Sequence, residues 1–218
     1  MNSRAPVEAQ TKSYAAALIV GSVSTLGALA LHPEGQEVLT QHGSIMMLMV
    51  HLVLLVNIGL LAFGCCGIVR RLGIHRADMT AGMVAYGFAM CAVVVPIAIS
   101  AFVIPGLESR LSAIDKIADP ITQKALMQSM SLCEQFIQGF VKTFVPTYFI
   151  AIAFWSYAMW RTKIFSRALA VFGLVMSVIM PFAVLSGHLR MSAHGFGVVM
   201  LIIGIWSIWA AVLKNKQR

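Results

Sequence analysis

The six histidines carry the clearest chemistry in this chain, and five of them gather at or near two turns. His32 leads into Pro33-Glu34-Gly35 and on to His42-Gly43, and His188 leads past Arg190 to His194-Gly195. Each turn joins one apolar segment to the next, with a histidine closing the first and a His-Gly dipeptide opening the second. A neutral imidazole is a ligand for a transition metal or haem iron. At a helix N-terminus, where His42 and His194 fall, the positive end of the helix dipole discourages protonation and keeps the ring available. The adjacent glycine admits a close approach by backbone or ligand.

His51 lies deeper, inside an apolar segment where an ionisable side chain is costly and faces the bundle interior. It follows His42 by about two and a half turns, so the two rings point to nearly opposite sides of an ideal helix. His51 therefore needs a partner from another helix, whereas His42 groups with the turn histidines. The expected cofactor ligands are His51, His42 and His194. The expected metal group is His32, His42, His188 and His194, with Glu34, Glu37 and Arg190 as the charged residues around it.

Two histidines on different helices suit haem b, and the same set suits a transition-metal ion. Met46, Met47 and Met49 near His51 offer sulfur to copper, although methionine in an apolar span is more often packing material. His75, between Arg71 and Arg76, reads as a solvated loop residue. The chain contains no HExxH, no phosphate-binding glycine loop and no GxSxG elbow. An intramembrane hydrolase needs an acid beside its histidines, and Glu34 and Glu37 are available only in the turn. The residues lean away from catalysis, and an intramembrane hydrolase is kept as the least favoured role. Besides ligand binding or redox work, two roles fit: a small transporter or permease component, and a membrane assembly factor that docks a partner.

The elements that position these residues are set by composition. Apolar residues make up 59% of the 218 and charged residues 11%, which leaves too little polar surface for a water-soluble domain of this size. Several apolar runs exceed the roughly 18 residues that mark a membrane span. The expected fold is all-α and integral to the membrane, a bundle of six transmembrane helices. Residues 1–13 read as a disordered cytoplasmic tail, 14–213 as one membrane domain and 214–218 as a second cytoplasmic tail. Ala28-Leu29-Ala30 has the small-x-small look of a signal-peptidase site, but the apolar stretch before it is long for a signal core and is read as retained.

The spans are expected at 14–31, 45–69, 78–104, 140–160, 164–187 and 195–213, with a bend at Pro105-Gly106. Between the third and fourth, Leu107, Leu111, Ile114 and Ile117 recur at helical spacing among charges, and Asp119-Pro120 starts a long helix. Residues 107–138 thus form an amphipathic outward extension, suited to a protein partner. Asn57, Ser100 and Ser177 are expected to bond across helices. Trp155, Trp160, Trp206 and Trp209, with Tyr157, read as an interfacial aromatic belt.

The net charge of +8 is spread along the chain instead of forming a nucleic-acid patch. With the N-terminus inside, the cytoplasmic segments hold eleven of the sixteen basic residues, from Arg4 and Lys12 to Lys214, Lys216 and Arg218. The positive-inside rule then puts both termini in the cytoplasm and both histidine turns outside. The chain reads as a bacterial inner-membrane protein in contact with lipid. Its four cysteines lack CxxC spacing and act as small apolar groups. The two turns also align on their His-Gly pairs as a candidate parallel repeat.

Overall fold

The computed structural model describes residues 4–33, 41–114 and 120–213. Among these residues every regular element is helical, and six helices are long and apolar enough to cross a membrane. Seven α-helices follow in order: α1 (Arg4–Ala30), α2 (Gln41–Leu72), α3 (Ala77–Ala98), α4 (Ile104–Ile114), α5 (Pro120–Thr162), α6 (Arg167–Leu185) and α7 (Ala193–Val212). Helix α1 begins at Arg4, so it takes in most of residues 1–13, which by composition read as a tail. A single wide π-turn, Ile99–Val103, joins α3 to α4.

Helices satisfy every backbone group within the segment, which is why apolar runs of this length fold as they do where water is excluded. Helices α2, α1 and α7 pack side by side in one row, and α3, α5 and α6 in another. The rows meet along a core that includes Leu18, Leu61, Cys65, Tyr86, Phe144, Tyr148, Ile152 and Ile203. The outer faces keep large apolar side chains exposed, among them Phe88, Val178 and Phe182. That pattern fits an integral membrane protein, because lipid and not water is the solvent for those faces.

Close approach between α1 and α2 depends on Gly64 and Gly67. A Cβ at either position would fall inside Leu18 or Tyr14 respectively. Asn57 ties the same pair: its amide donates to Thr25 Oγ1 at 3.2 Å, and its carbonyl oxygen accepts from Ser24 Oγ at 2.8 Å. Ser177, by contrast, bonds its own helix at the Gly173 carbonyl. Helices α6 and α7 pack together far less than α1 and α2 do, so the two hairpins are not alike in structure.

Two features depart from expectation. The irregularity in the third span lies before Pro105-Gly106. Pro96 has no N–H to give, the wide turn begins three residues later, and α4 then runs straight through Pro105, which sits in its first turn where proline is tolerated. Trp155 and Trp206 are buried core residues and not part of a belt; they stack at 6.1 Å, and Trp206 Nε1 donates to Ser156 Oγ at 3.2 Å. Trp160 and Tyr157 remain exposed.

Helix α5 spans 43 residues, about 65 Å at 1.5 Å per residue, against an apolar layer of about 30 Å. Its second half is core. Its first half packs on α4 and otherwise exposes Ile121, Met127, Leu132 and Phe136.

Candidate functional site

The ends of α1 and α2 place two histidines together. Leu31 and His32 continue the last turn of α1 through backbone bonds to Gly27 and Leu29, and His32 then stands over the first turns of α2. There its ring meets His51, with centroids 5.4 Å apart and planes 68° from parallel. His51 is only 5% exposed. The partner that helical rotation demanded for His51 is thus the turn residue His32.

Both rings are oriented by backbone carbonyls. His51 Nδ1 donates to the Met47 carbonyl at 2.7 Å, and His32 Nδ1 donates to the Pro33 carbonyl at 3.0 Å. A neutral ring that gives its Nδ1 proton to a carbonyl carries its lone pair on Nε2, the arrangement that metal-bound histidines use.

The pair opens into a pocket of about 260 Å³ formed by five helices and the π-turn region. Its polar lining is His32, His51, Ser100, Gln138 and Ser192, and its apolar walls include Pro96, Met191 and Phe196. Gln138 Nε2 donates to the Met191 carbonyl at 2.9 Å, fixing α5 to the turn before α7. Ser192 caps α7, its Oγ accepting from the Gly195 N–H at 3.3 Å. The wide turn that follows Pro96 contributes Ser100, which faces the pocket instead of bonding a neighbouring helix.

The other expected residues divide. His188 is exposed, bonded to Ser186 Oγ at 2.7 Å and stacked on Phe182 at 6.2 Å. His194 and Arg190 are exposed too, and none of the three lines the pocket. The side chain of His42, and Glu34 and Glu37 altogether, lie outside the described residues. Among those described, no group of three or more His, Cys, Asp or Glu side chains comes together, and all four cysteines are free.

Gly195 serves the backbone and not a ligand, since a Cβ there would fall on the Arg190 carbonyl. Sequence reasoning did not reach Gln138, Met191, Ser192 or Phe196. None has a diagnostic type or spacing, and each enters the pocket through the packing of α5 and α7 on α2.

Comparison with protein-family models, with curated proteins and with solved structures finds no match to this chain.

Proposed function

We propose that this chain is a polytopic membrane protein that binds a transition-metal ion at its outward end through His32 and His51. The observation that carries the reading is the 5.4 Å separation of two imidazoles from different helices, each with Nδ1 tied to a carbonyl. For a metal about 2 Å from each ring nitrogen, the centres of two neighbouring ligand rings stand roughly 5 to 5.5 Å apart. Met191 in the same pocket wall supplies a thioether, and imidazole with thioether is a donor set that favours copper in its reduced state. Haem b suits the residues less well, because the two rings are already edge to face and leave no slot between them for a macrocycle.

Orientation follows from charge. The loops and ends that hold Arg70, Arg71, Arg76, Arg161, Lys163 and Arg167 lie opposite the histidine pocket, and the positive-inside rule assigns them to the cytoplasm. The pocket then faces out, in a protein of the bacterial inner membrane. A transport role draws support from Pro96 and the wide turn at the pocket wall, while the Trp155–Trp206 stack closes the interior beyond.

Metal analysis of the full-length protein, purified in detergent and loaded with Cu(I) under reducing conditions, tests the site. The expected result is one copper per chain, with affinity lower by at least ~10-fold in His32→Ala and His51→Ala and unchanged in His188→Ala. Full copper in His51→Ala would overturn the assignment, and a Soret band in the purified protein would favour haem.

A further inference from the structure

A second cavity lies at the other end of the bundle. Along α2, Arg70 stands about 28 Å from His51, and there α1, α2 and α7 enclose a half-open pocket of about 290 Å³. Its polar lining includes Arg70, Arg71, Tyr14 and Gln10, and no Asp or Glu side chain is among the described residues that line it. Its apolar wall includes the buried Leu18 and Ile68. Cations in the last turn of α2 suit the negative end of a helix, but that alone calls for no cavity.

Neighbouring helices hold both guanidinium groups in place. The close approach at Gly67 lays Tyr14 on α2. The Tyr14 hydroxyl accepts from Arg70 Nη1 at 2.8 Å, and its ring centre lies 5.9 Å from the guanidinium carbon. Arg71 Nη2 donates to the Leu213 carbonyl at 3.4 Å, and its guanidinium carbon stands 5.1 Å from the centre of the Phe165 ring. A guanidinium has five N–H donors, and the bond to Tyr14 uses one of those on Arg70. Arg70 is exposed, so the rest of its fork can meet a ligand, and the fork matches a phosphate in shape and charge.

We infer that this pocket binds the headgroup of an anionic phospholipid, with its phosphate at Arg70 and Arg71 and its glycerol end against Leu18 and Ile68. Basic pockets between membrane helices are suited to such headgroups. The apolar wall favours a lipid over a free phosphate, which would leave it bare. An apolar path also leaves the pocket, because Tyr14 packs on Phe63 with ring centres 4.6 Å apart, and Phe63 is exposed on the outer face of α2. The site does not depend on a metal at His32 and His51.

Native mass spectrometry of the full-length protein in a mild detergent tests this, with dioleoylphosphatidylglycerol and dioleoylphosphatidylcholine added in turn. One phosphatidylglycerol per chain is expected, with affinity lower by at least ~10-fold in Arg70→Gln and unchanged in Arg161→Gln, which removes an exposed cation outside the pocket. Equal retention of the two lipids, or an equal loss in Arg161→Gln, would overturn the inference. Ala211→Phe fills the pocket and leaves both arginines in place, so it is expected to lose the lipid as well; full retention there would overturn the site even if Arg70→Gln does not fold. Thermal unfolding separates lipid from free anion. Phosphatidylglycerol is expected to raise Tm and inorganic phosphate to leave it unchanged, and an equal rise with phosphate would overturn the lipid assignment.

Discussion

At the scale of single residues, the His-Gly dipeptide at 194–195 shows how one motif serves two purposes. His194 is exposed, and the need at this position belongs to Gly195, whose α-carbon packs against the Arg190 carbonyl. Backbone cannot move aside as a flexible side chain does. Gly195→Ala is therefore expected to destabilise by about 2–3 kcal/mol, while Gly197→Ala, where a Cβ meets nothing within 4 Å, is neutral or slightly stabilising through helix propensity. Thermal unfolding of the two variants in the same detergent checks the contrast. A close approach at this glycine was legible in the sequence, because glycine beside a helix start has few other reasons to be there. What approaches was not legible, since it depends on how the chain from Gly187 to Ser192 turns back. The same holds for His51. Its depth and rotation declared that it needed a partner on another helix, and only the packing of α1 on α2 selects His32.

At the scale of elements, the spans were legible because the bilayer sets a length and a composition that the sequence must obey. Their register was not. A tryptophan near a helix end suits an interface or a core equally well in one dimension, and the choice for Trp155 and Trp206 is made by which face of α5 and α7 turns inward. The candidate repeat fails to appear in the packing for a related reason. Gly64 and Gly67 let α1 and α2 lie close along their lengths, whereas α7 packs chiefly on α1 instead of on α6. The fit of α1 against α2 also holds His32 over His51. Gly67→Ala is expected to force Tyr14 and α1 away from α2, costing about 1–3 kcal/mol, while Gly59→Ala, with open space at its Cβ, leaves Tm within a degree or two. Unfolding curves of both variants decide between close packing and a loose contact.

At the scale of the whole molecule, the charge distribution gives the bundle a direction. If both termini face the cytoplasm, as the positive-inside rule proposes, a fluorescent protein fused after Arg218 is expected to fluoresce and an alkaline phosphatase fused at the same place to be inactive. Active phosphatase there would reverse the orientation and turn the histidine pocket inward. The six spans were legible from apolar length, and the direction proposed for them rests on lysine and arginine alone. The pocket arises from five helices meeting, which no single stretch of sequence encodes.

The length of α5 has a mechanical meaning. From Pro120 to Gln138 the helix runs about 28 Å outside the buried core with α4 beside it, and Gln138 sits where it reaches the pocket. It is a lever with its fulcrum at the pocket wall. A sideways push near Ile121 acts at the far end of that arm and is shared between the packing on α4 and the bond from Gln138 to the Met191 carbonyl at the rim of the histidine pocket.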